Sequence, residues 1–110
     1  MTDHRLDVLA TLADEIAMRR TASPETSYTA KLLSQGVEKC AKKFGEEAVE
    51  LALSSVLRNT AHTTAEAADV LYHLLVLLAS CDVKLTDVMA ELARRQGVSG
   101  IAEKASRSED

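Results

Sequence analysis

Apolar residues recur every three to four positions along most of the chain, which is the spacing of one face of an α-helix. Polar residues, glycine or proline interrupt this pattern and divide it into helical segments. The pattern therefore predicts an all-α fold, a compact bundle of four to five helices formed by residues 1–96. The predicted helices cover about residues 3–20, 28–35, 37–57, 63–80 and 86–96.

The interruptions indicate where helices begin and end. Pro24 disfavours helical backbone at the residue before it and so ends the first helix. Gly36 is a candidate C-cap for the second helix. Thr63 and Glu66 have the spacing of a capping box at the start of the fourth helix. Gly45 weakens the third helix, and one reason to tolerate it is the close approach of another helix.

The C-terminal segment differs in composition from the rest of the chain. After Gly97 the residues are mostly small and polar, and the last five are Ser-Arg-Ser-Glu-Asp. Chain ends of this kind are poorly ordered unless something holds them down. We therefore expect one domain in residues 1–96, followed by a flexible tail in residues 97–110.

The second half of the fourth helix is apolar on nearly every side between residues 70 and 78. A helix that is apolar all round is normally buried all round. A bundle of this size cannot cover such a helix completely, so a second copy of the chain would cover the remainder. The sequence therefore predicts a homo-oligomer, and we expect a homodimer.

Composition supports the helical assignment and excludes some functions. Hydrophobic residues make up 46% of the chain and aromatic residues only 3%, which favours helices over sheets. The net charge of −4 argues against a protein that coats DNA or RNA with a basic surface. It does not exclude a small phosphorylated ligand, because a bound cation can invert the local charge.

The sequence also indicates in which cellular compartment the protein is expected. Its first residues form no apolar signal region, and no apolar stretch reaches the roughly 20 residues that span a bilayer. Cys40 and Cys81 lie far apart in helical patterns and are interpreted as small buried hydrophobic residues rather than a disulfide or zinc site. We therefore expect a soluble cytoplasmic protein with no membrane contact.

Acidic residues form two short clusters on consecutive predicted helices. Glu46, Glu47 and Glu50 follow the pattern E-E-x-x-E on the third helix, and Glu66 and Asp69 follow E-x-x-D on the fourth. Residues three or four apart share one helix face, and a short loop makes the two helices antiparallel neighbours. The carboxylates can therefore meet across the groove, where their oxygens suit a hard cation such as Mg²⁺ or Mn²⁺.

Simpler explanations exist for part of this pattern. An E-E-x-x-E run is usually a solvated face, and the capping box alone would account for Glu66. Asp69 is harder to explain, because aspartate is a poor residue inside a helix and this one lies in the helix predicted to be most buried. A buried carboxylate needs a cation or hydrogen-bond donors nearby. Asp69 therefore favours the metal site over a solvated surface.

Three lysines precede the acidic cluster of the third helix by about one turn. Lys39 and Lys43 are a like-charge pair four residues apart, and Lys42 and Lys43 precede the glutamates in the weaker order for helical ion pairs. The arrangement is poor for helix stability. It suits a cationic wall that receives phosphate oxygens, although each lysine taken singly is equally consistent with an ordinary surface residue.

The acidic pattern resembles that of the all-α nucleotide pyrophosphohydrolases related to the MazG proteins. Within that group, the chain is similar to the phosphoribosyl-ATP pyrophosphatases of histidine biosynthesis, and the similarity extends over nearly the whole chain. The acidic motif alone indicates only the larger group, and the other segments make the family assignment specific. The segments are S-Y-T-A-K-L at 27–32, K-K-F-G-E-E-A-V-E at 42–50, E-A-A-D-V-L-Y-H-L-L at 66–75 and S-G-I-A-E-K-A at 99–105.

The resemblance implies a reaction and a set of site residues. The reaction is the Mg²⁺-dependent hydrolysis of phosphoribosyl-ATP to phosphoribosyl-AMP and pyrophosphate, with Mn²⁺ as a substitute ion. Glu46, which is not required as a full ligand, is our choice for the residue that orients or deprotonates the attacking water. Lys39, Lys42 and Lys43 are expected to bind the substrate. The implied metal ligands are Glu47, Glu50, Glu66 and Asp69.

Two alternatives remain open at this point, and a third is excluded. The chain could be a pyrophosphohydrolase of the same group that acts on another or a non-standard nucleoside triphosphate. It could be a helical interaction module without activity. A carboxylate-bridged di-iron bundle would need Glu-x-x-His pairs, and none occurs in the sequence. His73 lies four residues after Asp69 and is interpreted as a neighbour of the ligands at most.

Overall fold

The computed structural model describes residues 4–107, and within this range the chain is helical with no β-strand. Short 3₁₀ turns at His4–Leu6 and Arg19–Thr21 flank the first helix. The predicted all-α fold is confirmed. The first predicted helix was expected to begin near Asp3, which lies outside the described residues. The α-helices are α1 (Asp7–Met18), α2 (Tyr28–Ser34), α3 (Val37–Val56), α4 (Thr60–Ser80), α5 (Leu85–Arg95) and α6 (Gly100–Ser106).

Helices α3 and α4 form the centre of the molecule and pack against each other more extensively than any other pair described in residues 4–107. Only three residues, 57–59, connect them, which makes the two helices antiparallel neighbours. Helix α1 packs on α4, and α2 packs on both α3 and α4. The buried core at these contacts consists of Ile16, Leu32, Cys40, Leu75 and Val76.

The start of α4 differs from the sequence prediction. Asn59 is the N-cap, and its side chain accepts a hydrogen bond of 3.0 Å from the backbone N–H of His62. Helix α4 therefore begins at Thr60 rather than at Thr63, and the predicted capping box of Thr63 with Glu66 is wrong. Glu66 lies in the second turn of the helix, where it has no capping role and is available for other chemistry.

Helix α4 is buried on one side only within the single chain. His73, Leu75 and Val76 are buried, whereas Leu71 is 45% exposed and Asp69 is also exposed. The single chain thus leaves part of α4 uncovered, as its apolar pattern predicted. The expectation that Asp69 itself is buried is wrong, because it lies on the outward side of the helix. Coverage by a second subunit stays a prediction.

Helices α5 and α6 extend from the bundle and make few contacts with it among the described residues. Ser99 caps α6 by accepting a hydrogen bond of 3.0 Å from the backbone N–H of Ala102. The side chain of Glu103 is only 7% exposed and accepts hydrogen bonds of 2.5 and 2.8 Å from the guanidinium of Arg94 on α5. The segment expected to be a flexible tail thus contains a helix, while its flexibility stays a prediction and residues 108–110 lie outside the described range.

Two smaller findings complete the fold. A Cβ placed on Gly45 would meet no atom within 4 Å, so the suggested close approach of another helix at this residue is wrong for the described chain. Gly36 has a φ of +91°, a conformation that favours glycine and lets the chain turn from α2 into α3. Among the described residues, no helix combines the length and apolar character needed to cross a membrane.

Candidate metal centre

Helices α3 and α4 bring three of the predicted acidic residues together. One carboxylate oxygen from each of Glu47, Glu66 and Asp69 lies within 4.8 Å of the others. Oxygens bound to one Mg²⁺ at about 2.1 Å are at most about 4.2 Å apart, so the three carboxylates would have to move only slightly to share one ion. Asp69 is exposed and the other two are partly buried, so the cluster opens to solvent on one side.

Glu50, the fourth predicted ligand, lies outside this three-residue group, is exposed, and influences Glu47 electrostatically. Partial burial raises the pKa of Glu47, and the negative charge of the nearby Glu50 raises it further. The charges of Asp69 and Glu66 act in the same direction on the pKa of Glu47. The cluster therefore concentrates negative charge that its own residues do not neutralise, and a bound cation would relieve this repulsion.

Glu66 provides the structural test of whether a cation fits. Its side chain is 15% exposed, and its Oε1 lies 3.0 Å from Nε2 of His62. Its Oε2 is buried and has no hydrogen-bond partner in the part of the chain that the structure describes. A buried carboxylate oxygen without a partner is costly unless an ion or a donor compensates it. The residues present therefore fit a hard divalent cation.

Glu46 lies outside the three-residue group. Its side chain is 50% exposed, and its Oε1 lies 3.7 Å from Nζ of Lys43. Lys43 is partly buried, with 31% of its side chain exposed, whereas Lys39 and Lys42 are exposed. The structure thus places one of the three predicted lysines beside the acidic residues of α3, and it leaves Glu46 accessible to a ligand.

Tyr72 and His73 follow Asp69 on α4 at helical spacing. His73 is buried one turn after Asp69, where burial and the charge of Lys43 lower its pKa and the charge of Asp69 opposes this shift. Its ring meets that of Tyr72 edge to face at 5.0 Å, and the Tyr72 hydroxyl lies 2.5 Å from Oγ1 of Thr29 on α2. These contacts tie α2 to α4 next to the acidic cluster.

The sequence prediction missed His62. Its ring contacts Glu66 one turn later on α4, but the predicted loop at residues 58–62 placed it outside the helix. The spacing of four residues between His62 and Glu66 is a helical signal. It would have been recognised if Asn59 had been identified as the N-cap.

Comparison with known proteins identifies the family. The model of the phosphoribosyl-ATP pyrophosphohydrolase family matches residues 9–96, which include Glu46, Glu47, Glu50, Glu66 and Asp69. The chain belongs to the phosphoribosyl-ATP pyrophosphohydrolase family. The family expected from the sequence motifs is thereby confirmed.

Relatives of the phosphoribosyl-ATP pyrophosphohydrolase family match this chain over most of its length. A protein named phosphoribosyl-ATP pyrophosphatase from Dinoroseobacter shibae is 61% identical over 102 residues, which cover 93% of this chain and 100% of the relative. One of the same name from Paracoccus denitrificans is 62% identical over 96 residues, which cover 87% of this chain and 89% of the relative. A third, from Cereibacter sphaeroides, is 59% identical over 102 residues, covering 93% and 99%.

Proposed function

We propose that the chain hydrolyses phosphoribosyl-ATP to phosphoribosyl-AMP and pyrophosphate in histidine biosynthesis, with Mg²⁺ as cofactor and Mn²⁺ as a substitute. The observation that carries the proposal is the convergence of Glu47, Glu66 and Asp69 within 4.8 Å, in a chain whose family and relatives bear the name of this reaction. The unpartnered, buried Oε2 of Glu66 supports the presence of a cation.

The four acidic residues of α3 and α4 would hold the metal ion. When bound, Mg²⁺ supplies positive charge to the phosphate chain and acidifies water. Glu47, Glu66 and Asp69 already lie close together. Glu50, one turn after Glu47 on α3, would complete the set by turning its side chain toward the ion. With the ion in place, the raised pKa of Glu47 would fall, because an opposite charge favours the ionised carboxylate.

Glu46 is the proposed residue that orients or deprotonates the attacking water. It lies one position before Glu47 on α3, outside the group that converges on the ion, so the metal would not occupy its carboxylate. Lys43 lies 3.7 Å from Glu46 and would stabilise charge on the leaving pyrophosphate. Lys39 and Lys42, which are exposed on the same helix, would bind the remaining phosphate oxygens.

The proposal includes a homodimer in the cytoplasm. Helix α5 has no buried residue in the described chain, and its apolar residues Met89 and Leu92 are 41% and 51% exposed. Ile101 on α6 is 86% exposed. A second copy would bury these side chains. Cys40 is a buried free thiol as expected, whereas Cys81 is exposed and not buried as expected, and free thiols suit a reducing compartment.

A pyrophosphate-release assay tests the activity. Purified chain would be supplied with phosphoribosyl-ATP in the presence of Mg²⁺, of Mn²⁺, or of a chelator, and ordinary and modified nucleoside triphosphates would be compared at equal concentration. We expect release that depends on the metal and a preference for phosphoribosyl-ATP. Preference for another triphosphate would assign the site to a different pyrophosphohydrolase, and no release from any substrate would contradict an enzymatic role.

Glu50→Gln connects this activity to the proposed ligands. The substitution keeps the shape of the side chain and removes its charge, so we expect nearly complete loss of metal-dependent pyrophosphate release with unchanged helix content. Glu38→Gln is a matched control, because Glu38 is exposed in the first turn of the same helix. Equal activity in the two variants would remove Glu50 from the site.

A further inference from the structure

His62 lies next to the proposed site without a role in the reaction described so far. It occupies the first turn of α4, and its side chain is 58% exposed. Its backbone N–H donates a 3.0 Å hydrogen bond to the side chain of Asn59, which fixes the backbone from which the imidazole extends. The ring reaches Glu66 one turn later, with Nε2 at 3.0 Å from Oε1.

The chemistry of this contact assigns different roles to the two oxygens of Glu66. An ionised carboxylate only accepts hydrogen bonds, so Nε2 of His62 carries the hydrogen and donates it to Oε1. This donation is available to the imidazole in its neutral form as well as in its charged form. The other oxygen, Oε2, is buried and without a partner in residues 4–107, which leaves it as the oxygen that can face a cation.

We infer that His62 is a positioning residue that holds Glu66 in the rotation at which Oε2 faces the metal ion. The inference rests on the proposed function, because it requires that the acidic cluster binds a divalent ion. A hydrogen bond to one oxygen of a metal-binding carboxylate restrains the torsion of the side chain, which lowers the entropy lost when the ion binds.

A second histidine–carboxylate pair in the chain shows how the contact between His62 and Glu66 differs from an ordinary surface interaction. His4 lies 3.1 Å from Asp7, and both side chains are largely exposed, at 80% and 67%. Such exposed pairs contribute little to stability. Glu66, by contrast, is only 15% exposed and belongs to the convergent acidic group. His62 and Glu66 also line one surface pocket of about 370 Å³, together with Glu50.

Titration of the full chain with Mn²⁺, followed by electron paramagnetic resonance of the free ion, tests the inference without measuring activity. We expect His62→Ala to weaken Mn²⁺ binding about 10-fold, which is the lower end of the effect of losing a residue that supports a metal ligand. His62→Gln should restore affinity to within about threefold of the wild type, because the amide N–H of glutamine can also donate to Glu66. His4→Ala, which removes the exposed pair, should bind Mn²⁺ like the wild type.

The outcomes separate this inference from the proposed function. If the wild type binds Mn²⁺ and His62→Ala binds it equally well, His62 does not position Glu66 and the proposed function stands. If His62→Gln binds as weakly as His62→Ala, donation to Glu66 is not the cause and the inference is also overturned. Failure of the wild type to take up Mn²⁺ would overturn both. Circular dichroism of each variant checks that helix content is unchanged.

Discussion

The pair α3–α4 and the pair α5–α6 use their amphipathic surfaces in opposite ways. Helices α3 and α4 pack against each other along the molecule, and their polar edge carries the convergent acidic residues Glu47, Glu66 and Asp69. Helices α5 and α6 contact the rest of the described chain sparsely and leave Leu92 and Ile101 exposed. Both pairs contain a partly or fully buried glutamate, but the two glutamates have different surroundings.

The difference between these glutamates indicates what each helix pair does. Glu103 on α6 is satisfied by the guanidinium of Arg94, so its charge serves to fix one helix to the next. Glu66 on α4 meets only the imidazole of His62 and keeps a buried oxygen without a partner in residues 4–107. A satisfied buried carboxylate indicates structure, whereas an unsatisfied one beside other carboxylates indicates a ligand.

Asp69→Asn should have the largest effect, because it changes the charge of the α3–α4 site without disturbing the core. Asp69 is exposed, so the fold should tolerate the amide. We expect metal-dependent pyrophosphate release to fall by roughly 100-fold or more, the order seen when one charged or polar group of an active site is lost. Asp87→Asn, at an exposed position on α5, is the control and should keep full activity. Equal activity of Asp69→Asn and Asp87→Asn would contradict the assignment of the active site to the α3–α4 pair.

Leu92→Asp and Ile101→Asp test the α5–α6 pair. If these side chains are buried between two subunits, a carboxylate there is desolvated without a partner and should convert the homodimer to monomer at micromolar concentration. Light scattering coupled to size-exclusion chromatography measures the mass. Val8→Asp, on α1, is a comparison for a 71% exposed apolar residue elsewhere. Dissociation by Val8→Asp alone would place the interface on α1 instead.

Glu103→Gln tests whether one buried carboxylate fixes α6 to α5. The Arg94 guanidinium would then donate to one neutral amide oxygen instead of to the two oxygens of a carboxylate, so the free energy of local opening of α6 should fall by about 1–3 kcal/mol. Amide hydrogen exchange of α6 measures this change, and exchange within α3 and α4 should stay the same. Lys104→Gln, an exposed position on the same helix, is the control. Equal protection in both variants would show that the pair does not hold α6.

Acidification should weaken the ion-pair network of α5 and α6, in which Arg94 donates hydrogen bonds to both Glu91 and Glu103. Hydrogen bonds from Arg94 and Arg95 lower the pKa of Glu91 to about 2, from an ordinary value of 4.5. Because the folded-state pKa is lowered, the stabilisation is complete above about pH 4.5 and is lost as pH falls toward 2. A ¹³C titration of the Glu91 carboxyl should give a midpoint near 2, and Arg94→Gln should move it toward the ordinary value. A midpoint near 4.5 in the wild type would contradict these contacts.

Gly45→Ala should have the smallest effect, and it should be favourable. Gly45 lies inside α3 with open space where the Cβ would go, so alanine should raise the free energy of unfolding by about 0.5–1 kcal/mol. Gly36→Ala should do the opposite, because Gly36 has a φ of +91°. Chemical denaturation measures both. If Gly45→Ala raises KM without changing stability, the glycine serves substrate approach rather than the helix.

The sequence predicted the helices whose signals are local. The predicted starts of α2 and α3 agree with the structure, in which Ser27 caps α2 by accepting a hydrogen bond from the backbone N–H of Ala30 and Gly36 precedes α3. The start of α4 was misplaced, because Asn59 and Thr63 are both good N-caps and the apolar period begins only later. Helix α6 was not predicted. It is held by the ion pair of Glu103 with Arg94, which joins two helices and cannot be recognised from the spacing of apolar residues.

The candidate site was predicted in outline from spacing alone. Glu47 and the pair on α4 could be placed together because a short loop between helical acidic motifs brings them to one groove. The exposure of Asp69 could not be predicted, since it depends on which side of α4 the other helices cover. The contact of His62 with Glu66 depended on the true start of α4.

The outward position of Asp69 has a consequence for how quickly the site would load. In the single chain, Asp69 is open to bulk water, so no helix of this chain would have to move aside for an ion to reach its carboxylate. The slow step of capture would then be the shedding of coordinated water by the ion itself, which Mg²⁺ does reluctantly. Manganese, which exchanges its hydration shell faster, should accordingly enter sooner even where both ions end in the same place.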